Sequence, residues 1–222
     1  MSDAHLSEEV LKTLRTSYTH ATLEGVDSDP FLQLENWLNE AIKADVVEPQ
    51  AMTVSTVSAN GRPSSRVVLL RGLSAEGLTF YTNYGSHKGR ELEANPYACT
   101  NFWWGPLERQ VRVEGRVFKV SPEESDAYFA SRPYESQAAS ASSPQSQPIG
   151  SRAELEAHMH LLEAQYPDQI PRPAHWGGFR LVPDRFEFWQ GRPARLHDRF
   201  VYTLGGEGTL EGAEWTIHRI AP

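Results

Sequence analysis

The chain has 222 residues, of which 39% are hydrophobic and 10% aromatic, and it carries a formal charge of -8. That length and apolar content can build one full core, whereas the acidic balance speaks against general nucleic-acid binding, which needs a basic surface. No run of about 18 apolar residues is present to span a bilayer, and the opening MSDAHLSEEV lacks the basic-then-apolar pattern of a secretion signal, so a cytoplasmic protein without membrane or nucleic-acid partners is expected.

The first expected element is a helix over LSEEVLKTLRTSY, with Ser7 as cap, Glu8 and Glu9 in the first turn and Leu6 stapled onto Leu11. Residues 1–28 are taken as a partly mobile helical segment and residues 29–222 as one domain. A second helix opens at Asp29-Pro30 and runs towards Pro49, with Phe31, Leu34, Leu38 and Ile42 at helical spacing and Trp37 widening the apolar face.

From Ala51 the pattern becomes β. AMTVSTVS and SSRVVLLRGL are joined by Asn60-Gly61, a strong hairpin signal, and LTFYTN follows a turn at Ala75-Glu76-Gly77. Val67 to Leu70 are apolar on consecutive residues, as in a strand covered on both faces, inside a barrel or under another subunit. A short helix, SHKGRELEAN, precedes ACTNFWW and LERQVRVEGRVFKV, the latter carrying Gly115 where a bulge is tolerated. The single cysteine, Cys99, excludes an internal disulfide and reads as a core position.

Ser121-Pro122-Glu123-Glu124 is a capping box for a helix to about Ser131, and Ser151 with Glu154 opens another to about Gln165. Between them residues 135–150 hold almost no large apolar side chain and are expected to form a loop, mobile or ordered by a ligand. Strands return at GFRLVPD, RFEFWQG, RFVYTL and EWTIHRI. Seven to nine hairpin-linked strands without βα alternation make a mainly β, antiparallel barrel with peripheral helices. The lack of G-x-G-x-x-G and P-loop runs disfavours nicotinamide and ATP enzymes of the usual kinds.

Basic clusters stand out in so acidic a chain. If Arg195-Leu196-His197-Asp198-Arg199 is extended, Arg195, His197 and Arg199 share a face and need an anion or carboxylate among them, and Trp189 upstream suits a planar anionic ligand. A solvated edge strand with scattered salt bridges is the plainer alternative. Arg66 and Arg71 would fall on opposite faces of an unbroken strand. Ser86, His87 and Lys88 at a helix N-terminus form a phosphate cradle, and Tyr128, Arg132 and Ser136 offer donors for a second phosphate. His158 and His160 point apart on a helix, no H-E-x-x-H or G-x-S-x-G occurs, and metal or nucleophilic catalysis is not expected. Anion sites and aromatics without a nucleophile suit a protein whose cofactor carries the reaction.

Eight ordered stretches sharpen this: RVVLLR at 66–71, FYTN at 80–83, GSHK at 85–88, LERQV at 107–111, SRP at 131–133, FWQG at 188–191, RLHDR at 195–199 and the terminal RIAP. In them the chain resembles the pyridoxine/pyridoxamine 5'-phosphate oxidases. The resemblance implies an FMN-binding split β-barrel of Greek-key-like topology, a homodimer with FMN at the subunit interface. It implies Arg66, Ser86, His87 and Lys88 around the FMN phosphate, with Val67, Val68, Leu69, Leu70, Tyr81, Thr82 and Gln110 along the cofactor and Gln145, Ser146, Trp189 and Arg199 completing its site.

Substrate phosphate would fall to Arg71, Tyr128, Arg132 and Ser136, with Arg195 and His197 as the catalytic pair facing the pyridine ring. The implied reaction oxidises pyridoxine or pyridoxamine 5'-phosphate to pyridoxal 5'-phosphate by hydride transfer to the flavin, with O2 reduced to H2O2. The chain departs from the family pattern at Arg71, where lysine is usual, at His87, where arginine or lysine is usual, in AASASSP at 138–144, and at Arg15-Thr16-Ser17-Tyr18, which lacks a second basic residue. A phenazine-biosynthesis-type flavin oxidase and a non-catalytic flavin or pyridoxal-phosphate carrier are the alternative functions.

Overall fold

The computed structural model describes residues 17–19, 22–205 and 214–222. The expected first helix lies outside these residues except for Ser17 and Tyr18, which are not helical. Helix α1 (Pro30–Lys43) begins as its residues dictate: the Asp29 carboxylate accepts the Phe31 N–H at 2.8 Å and proline occupies the first turn, where no amide partner is needed. Its buried stripe is Pro30, Gln33, Leu34, Trp37 and Ala41. Ile42, expected on that face, is 54% exposed, because the stripe closes on the small Ala41 instead.

Among the described residues nine strands form one antiparallel sheet: β1 (Ala51–Val57), β2 (Pro63–Leu69), β3 (Gly72–Ser74), β4 (Gly77–Asn83), β5 (Tyr97–Trp104), β6 (Arg109–Lys119), β7 (Trp176–Gln190), β8 (Asp198–Leu204) and β9 (Trp215–Arg219). The Asn60-Gly61 hairpin forms, with Gly61 at φ 83°, in the left-handed region open to glycine. The sheet order is β2-β1-β5-β6-β7-β4-β3, and β8 also pairs with β7 and carries β9. β7 is thus the fork of the fold: its first half pairs with β4 and its second with β8, while β6 runs along its length. The two strands expected at GFRLVPD and RFEFWQG are one strand, continued through a bulge at Pro183-Asp184. Opposite that bulge stands Gly115, whose backbone approaches so closely that a Cβ would lie 2.1 Å from the Val182 carbonyl oxygen.

Alternation sorts the strands into an inner row of Phe102, Trp104, Val111, Val113, Phe186, Phe188 and Tyr202, all buried, against which Leu34 and Trp37 of α1 pack. Each such fully buried side chain contributes about 1.5–3 kcal/mol. Cys99 points the other way and is only half-buried, so it is not a core residue. Val67 is 66% exposed in the single chain: β2 is a sheet edge, and of the apolar run at 67–70 Leu70 alone is fully in the core, with Val68 packed against it.

The helices sit outside the sheet: α2 (His87–Ala94), α3 (Pro122–Ser131), α4 (Tyr134–Ser142) and α5 (Arg152–Gln165). Ser86, Ser121 and Ser151 cap α2, α3 and α5 through their side-chain oxygens. Helix α4 corrects the expected loop over 135–150. Its Ala and Ser residues do bury little, yet alanine is the best helix former, and small size lets fully buried Ala138 dock beside Phe129, Ile170 and Trp176. Gln137 locks the helix in place, donating to the Ala130 and Arg132 carbonyls at 3.3 and 2.9 Å and accepting from the Ile170 N–H at 3.2 Å.

Candidate functional site

A cavity of about 630 Å³ opens between β2, β4, α2 and the segment after α4, within the roughly 300–1,000 Å³ of small-molecule sites. It gathers thirteen of the residues singled out in the sequence: Arg66, Val67, Val68, Leu69, Arg71, Tyr81, Thr82, His87, Lys88, Tyr128, Arg132, Gln145 and Ser146. Arg66 and Arg71 both line it, because β2 ends at Leu69 and the period-two rule no longer separates them. Leu70 does not; it belongs to the core. Ser86 is fully buried behind the rim and caps α2 by accepting the Gly89 N–H at 3.2 Å. Ser136 sits on α4 and is not among the lining residues.

Four cationic side chains face this cavity, Arg66, Arg71, Lys88 and Arg132, and no Asp or Glu is among its described lining residues. Lys88 is 7% exposed. Its Nζ donates to Thr82 Oγ1 at 2.9 Å and to Gln145 Oε1 at 3.3 Å. Burial, and secondly the charge of Arg66, lower its pKa from 10.5 to about 8. Arg132 stands in extended backbone just past α3 with its guanidinium 4.7 Å over the Trp176 ring, and its buried Nη1 has no hydrogen-bond partner. Burial first, and then Arg71, depress its pKa. Two separate cation pairs therefore face one cavity, Arg66 with Lys88 and Arg71 with Arg132.

The wall between them is aromatic. Tyr81 stacks on Tyr128 at 3.8 Å, and both lie nearly parallel to Trp176, at 14° and 2°. Tyr81 Oη donates to Glu124 at 3.4 Å; burial, followed by the Glu124 charge, pushes its pKa up to about 12, so it stays a protonated donor. Trp176 carried no signal in the sequence beyond being an aromatic after a proline-broken stretch.

The remaining residues lie elsewhere. Strand register places Trp103, Gln110, Trp189 and Arg199 on one rung across β5, β6, β7 and β8. Arg199 gives Nε and Nη2 to Glu187 Oε1 at 2.8 and 2.6 Å, and Nη1 to the Ala221 carbonyl at 2.9 Å. The expected extended run at 195–199 does not form: Pro193–Arg195 is a 3-10 turn, Ala194 and Arg195 have φ of 55° and 63°, and β8 starts only at Asp198. The common face of Arg195, His197 and Arg199 is replaced by two environments, Arg199 on the sheet and Arg195 with His197 around a hollow of about 400 Å³ also lined by Tyr18 and Arg192.

His197 Nδ1 accepts the Arg192 backbone N–H at 3.0 Å, which leaves the proton of the neutral ring on Nε2. Its ring lies 4.7 Å from Trp189, and Tyr18 meets both edge-on. Burial, helped by Arg195, lowers its pKa. The two hollows share no lining residue. Tyr81 pairs with Gly178 and Gln110 with Trp189, eleven residues apart on β7, which is about 36 Å along the strand at about 3.3 Å per residue.

Among the described residues no His, Cys, Asp and Glu side chains gather as for a metal ion, and no helix is long and apolar enough to cross a membrane. The cavity suits a flat ligand with anionic groups: a buried lysine, an unpartnered arginine nitrogen and an aromatic wall offer charge-assisted donors beside a stacking surface.

The chain is similar to known proteins along most of its length. Residues 38–166 match the family described as Pyridoxamine 5'-phosphate oxidase, and residues 176–222 match its Pyridoxine 5'-phosphate oxidase C-terminal dimerisation region. The pyridoxine/pyridoxamine 5'-phosphate oxidases of Paraburkholderia phytofirmans and Chromobacterium violaceum are 52% and 53% identical over 214 residues, 96% of this chain and 99% and 98% of theirs. Among solved structures, PhzG from Burkholderia lata 383, in complex with tetrahydrophenazine-1-carboxylic acid, is 31% identical with a TM-score of 0.85, over 93% of this chain and 100% of that one. A pyridoxamine 5'-phosphate oxidase-related, FMN binding protein from Nostoc punctiforme, 18% identical over 89% of this chain and 100% of its own, shares the fold at a TM-score of 0.70.

Proposed function

Because this chain belongs to the pyridoxamine 5'-phosphate oxidase family, we propose that it binds FMN and oxidises pyridoxine or pyridoxamine 5'-phosphate to pyridoxal 5'-phosphate, with O2 as acceptor and H2O2 as product. The observation that carries the reading is Lys88, a buried cation facing the cavity with no carboxylate within ion-pair distance among the described residues. Leaving such a charge unpaired costs several kcal/mol unless an anion meets it.

When bound, the flavin supplies hydride acceptance and the return of electrons to O2. The chain supplies placement. Arg66, His87 and Lys88 hold the cofactor phosphate, with Ser86 fixing the helix end from which His87 and Lys88 project. Tyr81, Thr82, Gln145, Ser146 and the β2 residues Val67 to Leu69 flank its ring and tail. Arg71, Tyr128 and Arg132 clamp the substrate phosphate, and Ser136, on α4, would join them only on a closing of the cavity. His197 donates from Nε2 to the substrate ring, and Arg195 orients it.

These last groups, with Gln110, Trp189 and Arg199, cannot reach the cavity along one strand. We assign them to the cavity of the partner subunit in a homodimer, in which a two-fold axis brings each chain's second hollow to the other's first. The match to a dimerisation region over 176–222 supports a homodimer, and the exposed Val67 and Trp103 give it an apolar surface to cover.

The likeness to PhzG favours a second reading, oxidation of a reduced phenazine precursor. The Arg71, Tyr128 and Arg132 cluster weighs against it, since three donor groups match the three acceptor oxygens of a phosphate more fully than the two of a carboxylate. Incubating the FMN-loaded protein with pyridoxine phosphate, pyridoxamine phosphate or tetrahydrophenazine-1-carboxylic acid tests both. Pyridoxal phosphate and peroxide are expected from the first two; turnover of the third alone would reverse the assignment.

A further inference from the structure

Glu91 has no place in the reading above, yet it is the best-connected carboxylate beside the cavity. Its side chain is 4% exposed, one turn after His87 on α2. Oε2 accepts the Thr56 hydroxyl at 2.5 Å, the Ser64 hydroxyl at 2.6 Å and Arg66 Nη2 at 3.3 Å; Oε1 lies 3.0 Å from His87 Nε2. Thr56 Oγ1 in turn accepts Arg66 Nη1 at 2.5 Å. One carboxylate thus joins β1, β2 and α2.

Burial alone would raise the pKa of Glu91, but hydrogen bonds from Ser64 and Thr56 and the charges of His87 and Arg66 outweigh it, so the carboxyl sits below its usual range. A negative charge here lowers the attraction of the cavity for an anion. Its contribution must therefore be geometric. Three of its four partners, Ser64, Arg66 and His87, line the cavity. Without it the Arg66 guanidinium would, among the described residues, keep neutral acceptors, and His87, 61% exposed, would lose the ion pair that holds it at the rim.

We propose that Glu91 is a positioning residue that fixes Arg66 and His87 for the cofactor phosphate, so that its removal weakens recognition of the phosphate and not of the flavin ring. This rests on the FMN reading of the cavity. Flavin fluorescence titrations of the flavin-free full chain with FMN and with riboflavin, which lacks the phosphate, test it. The unaltered chain is expected to favour FMN by tenfold or more. Glu91→Ala should weaken FMN at least tenfold and riboflavin less than twofold.

Glu91→Gln, which keeps the shape and an acceptor for Thr56 and Ser64, should fall in between, and it answers the question where the alanine variant does not fold. Equal losses for both ligands would mean general packing and overturn the proposal, as would unchanged or tighter FMN binding. An unaltered chain that does not distinguish FMN from riboflavin would instead overturn the phosphate cradle itself.

Discussion

Lys88 donates to the Thr82 hydroxyl at 2.9 Å, and among the described residues its ammonium otherwise meets the neutral oxygens of Ser86 and Gln145. A bound phosphate supplies the missing countercharge and raises the pKa of Lys88 again from about 8. Above that pH, binding must take up a proton. FMN affinity is therefore expected to fall as pH rises from 8 to 9.5, by up to roughly tenfold per pH unit. Titrations at a series of pH values check this, and in Lys88→Met binding should be weaker and insensitive to pH across the window. In the flavin-free chain the same shift, from 10.5 to about 8, costs about 3 kcal/mol. That stability is present above pH 10.5 and lost as pH falls through 8.

Arg132 is held over Trp176 with one buried nitrogen unpartnered. Removing it forfeits a hydrogen bond to a charged group, about 1.5–3 kcal/mol, or roughly 10- to 150-fold. Arg132→Ala should raise KM for pyridoxine phosphate by that factor and change kcat little. Steady-state kinetics decide it, and an unchanged KM would remove Arg132 from the clamp.

The proposed division of the site between two hollows can be tested by mixing. A chain with Lys88→Met and Arg132→Ala and a chain with Arg195→Ala and His197→Ala should each be nearly inactive as homodimers. Unfolded and refolded together, they should recover roughly a quarter of the unaltered activity, because half the dimers are mixed and each has one intact site. If both hollows serve their own chain's chemistry, mixing restores nothing.

At Gly115 an added Cβ would meet the Val182 carbonyl oxygen at 2.1 Å, a backbone atom that cannot swing aside. Gly115→Ala should destabilise the fold by about 1–3 kcal/mol through overpacking at the β6–β7 bulge. Urea unfolding followed by tryptophan fluorescence measures the loss. A loss under about 0.5 kcal/mol would show that the bulge relaxes.

Features written in neighbouring residues were legible in the sequence. Asp29-Pro30, Ser121-Pro122 and Ser151 cap helices because their side chains satisfy amides two or three residues on, and Asn60-Gly61 turns because glycine accepts a positive φ. The same locality explains the misses. Helix α4 depends on Ala138 meeting Phe129, Ile170 and Trp176, and nothing in AASASSP announces those partners. The 195–199 run looked extended because period-two spacing cannot foresee the left-handed Ala194 and Arg195.

The sequence by itself determined a mainly β antiparallel fold and most of the residue set that lines the cavity, since alternation, turn chemistry and the clustering of cations in an acidic chain are properties of the covalent order. Tertiary structure decided how that set is divided. Ending β2 at Leu69 turned Arg66 and Arg71 into one cavity, Glu91 was drawn in from α2 to hold Arg66, and the register of β5 to β8 put Trp103, Gln110, Trp189 and Arg199 on a single rung remote from the cavity. Strand register and burial arise from contacts between residues far apart in the chain, and those distances are set only when the sheet closes.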